Sequence, residues 1–301
     1  MFFHIKNMLN LEDFNFNKTV VDSEEIKNFN SEDGFMNLAV ELFKETAIIT
    51  TVLACAFRLD ENNNPRKWNR NEAIVGGLMV RMTKLQSSFL DQVCQCRLEI
   101  VMILLRCLGE CLINIRYLLE KNSDELSNKF IEYSLREEKR LLNEINENIT
   151  KRGYELPIEK RMKKSINRSF KTSNFKPENV HENKRESWEE TIYKRAKIVG
   201  MERMYTSLFS LPSHDIHGNW QNLIANHLEF DNGEFSPNTD WARPRPQPLF
   251  ALSVLCSDVN LLYLEKTIPD CPDRQKIVEI LKDISHRARL VDGLHEKFLQ
   301  K

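Results

Sequence analysis

Residues 93–121 read VCQCRLEIVMILLRCLGECLINIRYLLEK. Apolar side chains occur on every turn: Ile100, Val101, Ile103, Leu104, Leu105, Leu108, Leu112, Ile115 and Leu118. That density predicts a helix buried on several sides. Such a helix needs other helices around it, and the chain supplies them. FMNLAVELFKETAIITTVLACAFRL (35–59) has helical patterning, and a second helix starts near Glu72. Ser123 reads as an N-cap, with Asp124 and Glu125 in the first turn where the helix dipole favours acids. The helix it opens ends before Gly153. Helical patterning returns over 188–205, 213–228, 249–266 and 273–299. Only nine Gly and ten Pro in 301 residues disfavour a turn-rich β fold. No strand ladder or internal repeat is evident. The expected fold is all-α: a multi-helix bundle with a long buried central helix and an extended Pro-rich strap.

Other stretches punctuate this pattern. Residues 1–33 form a polar, Asn-rich arm, and 34–301 are expected to be a single helical domain. DENNNPRKWNRN (60–71) is a loop. Segment 151–186 holds eleven Lys and Arg against five acids, a surplus of six, and includes Pro157 and Pro177. It reads as a basic connector able to meet an anionic partner, RNA or protein. NGEFSPNTDWARPRPQP (232–248) cannot be regular helix, and its prolines point to an extended strap.

The whole-chain balance excludes several classes. A net charge of −1 is not that of a wholly basic nucleic-acid binder. Seven Cys with no C-x-x-C pair disfavour a zinc ribbon or a thioredoxin-like site; reduced thiols and a cytoplasmic protein are expected. The N-terminus lacks a signal-peptide pattern. The apolar run 100–105 is too short to cross a bilayer, so no membrane association is expected. There is no Walker A loop, GxGxxG or GxSxG elbow.

LPSHDIHGNWQNLIANHLEF (211–230) carries the candidate chemistry. On one helix, Ser213 and His217 would lie four apart on a shared face. Ile216, Trp220, Leu223, Ile224, His227 and Leu228 would trace an apolar stripe. Gly218 costs about 1 kcal/mol inside a helix relative to Ala, which implies close approach by another helix or a ligand. His217 could act as acid, base or phosphate contact with Ser213 orienting it. The alternative is a capping serine and a histidine bonded to a neighbouring helix. His-x-x-His at 214 and 217 lacks the third protein ligand that a catalytic zinc wants, and neither metal nor cofactor is expected.

The central helix bears one polar stripe: Glu99, Arg106, Glu110, Asn114 and Tyr117. Two readings stand open. The stripe reaches across to His217 and lines a polar pocket, or it is a solvent face with an ordinary Arg106–Glu110 pair. Arg289-x5-His295 fits the R-x4–6-H spacing of HEPN ribonucleases, although Leu290 stands where that family favours a polar residue. A packing role for the last helix is the plainer reading.

At these residues the chain resembles the helical family known as domain of unknown function 5677. One block is Arg106-x-x-x-Glu110 followed by an aliphatic run to Tyr117 and Leu118. The other is Ser213-x-x-x-His217-Gly218-Asn219-Trp220, continuing to His227-Leu228-Glu229 and WARPRPQP at 241–248. The resemblance implies an all-α fold and marks Arg106, Glu110, Ser213 and His217; it supplies no reaction. The functional expectation is a helical binding or regulatory protein with an inter-helix polar site, in a stress or phage-defence setting. The alternative is a HEPN-like metal-independent ribonuclease using His217 or His295 with an Arg. Homodimerisation through an apolar face is also expected.

Overall fold

The computed structural model describes residues 17–56, 58–62, 64–181, 188–268 and 272–300. The start of the N-terminal arm (1–16), the end of the basic segment (182–187) and Cys271 lie outside them. The fold is all-α. It divides into two compact units, 1–119 with 196–301 and 120–195, where the sequence pointed to one domain over 34–301.

In the first unit, α1 (Ser23–Lys27) lies within the expected polar arm, capped by the Asp22 carboxylate. It is followed by α2 (Glu32–Ala54), the strand pair β1 (Arg58–Leu59) and β2 (Pro65–Arg66), α3 (Arg70–Cys94) and α4 (Leu98–Lys121). After the second unit come α8 (Glu202–Tyr205), α9 (Ser213–His217), α10 (Trp220–Asn226), the strands β3 (Leu228–Asp231) and β4 (Glu234–Pro237), α11 (Gln247–Thr267) and α12 (Pro272–Leu299). Helices α2, α11 and α12 pack on one another, and α2 also packs on α3.

The core follows the sequence periods. Ile277, Leu281, Ile284, Ala288 and Val291 put one face of α12 wholly inside. Helix α4 buries Leu108, Leu112, Ile113 and Ile115 completely, as its composition requires. It begins only at Leu98, because Cys96 turns the chain with φ 56° between α3 and α4. By length and composition α11 could cross a membrane, but its Leu249, Leu252, Val259 and Tyr263 lie in the core.

One buried ion pair ties the arm to the bundle. Glu45 and Arg287 are 3% and 7% exposed and meet through two hydrogen bonds of 2.8 and 2.6 Å. Thr19 joins them, its N–H donating to Glu45 (2.6 Å) and its carbonyl accepting from Arg287 (3.0 Å).

The second unit contains α5 (Asp124–Arg152) and α6 (Pro157–Ser173), which pack as a hairpin. Helix α5 starts on the Ser123 cap, which accepts from the Leu126 N–H at 3.1 Å, and stops at Gly153 with φ 84°. The basic segment is therefore not a plain connector. Met162, Ile166 and Phe170 recur at four-residue spacing and give α6 a side to bury, with Ile166 and Phe170 inside. Pro157 serves as a helix start rather than a breaker. Farther on, Phe130 meets Trp188 edge to face at 5.2 Å, and the Arg195 guanidinium lies 4.3 Å over the Trp188 ring. Helix α7 (Ile192–Ile198) follows at the unit boundary and is broken from α8 by Gly200, φ 69°.

Two further expectations are corrected. The stretch 213–228 is not one helix: Gly218 adopts φ 54° and ends α9, and nothing lies within 4 Å of where its Cβ would be. Its glycine is required by the left-handed turn, not by close approach. The first part of the strap is β4, which pairs with β3 across Asn232 and Gly233, both at positive φ (52° and 89°). An Asn-Gly pair between short apolar runs is the usual signal for such a hairpin. Residues 238–245 are neither helix nor strand, and Pro246 leads into α11.

Candidate functional site

Helix α10 is the decisive element, because its polarity is inverted. Asn219 caps it, its side-chain oxygen accepting from the Asn222 N–H at 3.2 Å. Asn222 and Asn226, four apart, turn toward the protein, and Asn222 is 3% exposed. The apolar stripe read from the sequence faces solvent instead: Trp220 is 55% exposed, with Ile216, Leu223 and Ile224 also exposed.

The inward amides meet carboxylates from two other helices. Asn222 Nδ2 donates to Asp215 of α9 (3.0 Å) and to Glu99 at the start of α4 (3.3 Å). Asn226 Nδ2 also donates to Asp215, at 3.3 Å. His227 Nε2 donates to Glu99 at 3.0 Å. One amide thus spans two carboxylates that would otherwise repel. Burial pushes the Asp215 carboxyl up; donation from Asn222 opposes this, and the Glu99 charge adds to the rise. Beside this cluster, Asn219 Nδ2 lies 2.6 Å from His214 Nδ1. The Asn219 oxygen is committed to the cap, so it is the amide nitrogen that faces the imidazole.

A small cavity of about 60 Å³ opens against Glu99 and His227 and continues along the strap past Asp240 and Trp241. The strap is fastened by the Leu98 N–H donating to the Ala242 carbonyl (3.0 Å), with the Arg97 guanidinium 5.6 Å over the Trp241 ring. Outside it lies a chain of aromatic contacts: Trp220 with Phe235 at 5.5 Å, and Phe235 with Phe230 at 4.8 Å. Phe230, Phe235 and Trp241 are all more than half exposed. Residues 211–241 contain five carboxylates and no Lys or Arg.

The residues singled out from the sequence are distributed differently. Arg106 lies 4.1 Å over the ring of Phe209, and its Nε is buried with no hydrogen-bond partner. The Ser213 hydroxyl donates to the Phe209 carbonyl at 2.7 Å, so Arg106 and Ser213 converge on Phe209 rather than on His217. Burial pushes the Tyr205 hydroxyl up, with Arg106 and Glu110 acting on it in opposite directions, which places both near that ring. Among the described residues no ion pair joins Arg106 to Glu110, and no hydrogen bond ties His217, which is exposed, to Ser213, Arg106 or Glu110. Gly109 lets segment 206–210 sit directly on α4: a Cβ there would lie 2.9 Å from both Cβ and O of Leu208.

His295 and Arg289 do not share a site. His295 is fully buried between Phe35 (4.7 Å) and Phe298 (6.4 Å), with Nε2 on Glu32 at 2.9 Å. Arg289 is exposed on another face of α12, within the field of Asp258. Among the described residues no group of three or more His, Cys, Asp or Glu side chains could hold a metal ion. Burial pushes the Cys111 and Cys256 thiols up to about 12, which makes both inert packing groups.

Sequence reasoning missed Asn222 and Asn226 and treated His227 as part of an apolar stripe. The available signal was the amide series Asn219, Asn222, Asn226, which repeats at helical spacing opposite the apolar stripe.

A family model described as "Family of unknown function (DUF5677)" matches residues 72–235. Neither a curated protein nor a solved structure matches the chain. The chain belongs to this family, and the match covers α4, α9, α10 and β3.

Proposed function

We propose that this member of the family is a protein-binding module, and that its recognition surface is the outward face of α9, α10 and the β3–β4 hairpin. The observation that carries this is the inverted polarity of α10. A helix that spends its amides inward on Glu99 and Asp215, and leaves Trp220, Leu223 and Ile224 in water, gives up burial worth roughly 1.5–3 kcal/mol per large side chain. Exposed apolar clusters rimmed by polar groups mark interaction sites. Aromatic residues of the kind gathered here dominate binding energy at such surfaces.

The charge of this surface favours a partner of opposite sign. Residues 229, 231, 234 and 240 are carboxylates flanking the aromatic residues in sequence, and the nearby guanidinium, that of Arg97, lies over the Trp241 ring. The matching segment is basic and apolar, with Lys or Arg beside Leu or aromatic side chains. The Glu99–Asp240 cavity takes the head of one such cation between its carboxylates.

Selection of 15-residue peptides from a random library on the full-length protein tests this reading. Enriched sequences should pair Lys or Arg with apolar residues and lose binding at least tenfold on the Trp220→Ser/Phe235→Ser protein. Enrichment of acidic sequences, or equal binding by the double variant, overturns it.

A further inference from the structure

Helix α6 carries a second surface with opposite chemistry, confined to the 120–195 unit. Its buried side is Glu159, Ile166 and Phe170, and these turn the opposite side to solvent. At 100° per residue, Lys160, Arg161, Lys164, Arg168 and Lys171 fall within an arc of about 100°. All five are exposed, and among the described residues none makes an ion pair. Lys163, just outside the arc, is the lysine that α6 spends on a salt bridge, to Glu155 at 3.3 Å. The other exposed side chains of α6 are Ser165, Asn167 and Thr172 beside the ridge and, in the first turn, Pro157 and Ile158. Between Lys160 and Lys171 no acid and no exposed apolar side chain interrupts it.

Five unneutralised cations on one rigid helix repel one another, so the ridge is poised for an anion that spans its length. From Lys160 to Lys171 the helix rises about 16 Å, too long for a single phosphate group and suited to a row of them. An acidic protein partner would need apolar anchors at the centre of its interface, and the ridge has none. Insertion into a lipid surface would need the apolar side of α6, which is packed on α5. Single-stranded nucleic acid is held by bases stacked on aromatic rings, also absent from this face. Lys, Arg, Ser, Asn and Thr are the side chains that contact backbone phosphates. The B-form major groove admits an α-helix, whereas the A-form groove does not.

We infer that the exposed ridge of α6 binds the phosphate backbone of double-stranded DNA. The binding does not depend on base sequence and does not use the α9–α10 surface.

Anisotropy of a fluorescein-labelled 30-base-pair DNA duplex, titrated with the full-length protein across a salt series, tests this. With five phosphate contacts, log Kd against log salt should have a slope of magnitude about 4.5. Lys164→Gln/Arg168→Gln should lower that slope by about 1.8 and weaken binding roughly 60-fold at 0.1 M salt. Lys276→Gln/Lys282→Gln, an equal charge change on exposed positions of α12, should leave binding unchanged. The Trp220→Ser/Phe235→Ser protein should bind DNA as the wild type does, which separates this result from the protein-binding reading. The inference is overturned by absence of DNA binding at 50 mM salt, or by equal losses in both charge variants. Preference for duplex or single-stranded RNA, polyglutamate or phosphatidylserine vesicles over duplex DNA overturns it as well.

Discussion

Replacing Gly109 by alanine should destabilise the first unit, against the ordinary direction of that change. In a helix interior Gly→Ala gains about 1 kcal/mol from backbone entropy. At Gly109 the added methyl would lie 2.9 Å from the Leu208 carbonyl oxygen and 2.9 Å from its Cβ. Backbone cannot rotate away, so α4 and segment 206–210 must separate, an overpacking cost of roughly 1–3 kcal/mol that outweighs or cancels the gain. The net expectation is a loss of up to about 2 kcal/mol. Gly77, exposed on α3 with nothing within 4 Å of its Cβ position, is the control. Gly77→Ala should gain about 0.5–1 kcal/mol. Native-state hydrogen exchange of the slowest α4 amides reports the opening free energy of this unit alone. A Gly109→Ala protein stabilised as much as Gly77→Ala would refute the reasoning. So would a Gly77→Ala protein that loses as much as Gly109→Ala. Because segment 206–210 leads directly into α9, the same variant should disturb the environment of Trp220, read by its fluorescence.

Three further outcomes are expected. Glu45→Ala strands the buried Arg287 guanidinium with Asp283 as its remaining carboxylate and should cost about 3–5 kcal/mol, while Glu45→Met/Arg287→Leu recovers most of that loss; calorimetric melting compares them. Donation from Arg66 holds the Glu72 carboxyl down to about 2, below its ordinary 4.5, so its contribution is complete above pH 4.5 and is lost as pH falls toward 2. After discount for the partly open guanidinium this is ~2 kcal/mol, and it should appear as a wild-type advantage over Glu72→Gln that disappears by pH 2. Asn222→Asp sets three carboxylates together and should cost about 1–3 kcal/mol at pH 7, whereas Asp215→Asn, which keeps an acceptor and removes a partly desolvated charge, should cost under about 1 kcal/mol; urea melts that rank them the other way would rule out the bridging role of Asn222.

The parts of the fold that the sequence made legible are those set by strong local rules. The apolar density of α4, the Ser123 cap and the Gly153 stop each name a conformation without reference to anything distant. The candidate site was harder for two physical reasons. Periodicity shows that 216–228 has an apolar side and a polar side, but not which side meets the protein. That depends on Glu99, more than a hundred residues away, offering an acceptor to Asn222. Gly218 was ambiguous because a glycine required by positive φ and one required by close contact look alike in sequence; Gly218 is the first kind and Gly109 the second. The Arg106–Glu110 spacing permitted an ion pair, but the Phe209 ring, from a segment not recognisable as packing there, took the guanidinium instead.

The order of the two units along the chain bears on how the protein is made. Unit 120–195 is continuous, whereas the other is assembled from residues before 120 and after 195. During synthesis the later-numbered hairpin α5–α6 can therefore close before the earlier helices have their partners. Helix α2 waits for α11 and α12, on which it packs. At 5–20 residues per second, the interval between the end of α4 and the end of α12 is roughly 10–35 s. Until α11 and α12 emerge, the face of α2 that they cover is exposed on the ribosome. The yield of folded protein should thus depend on holdase chaperones and on translation speed through α5–α10, more than on the final stability of the bundle.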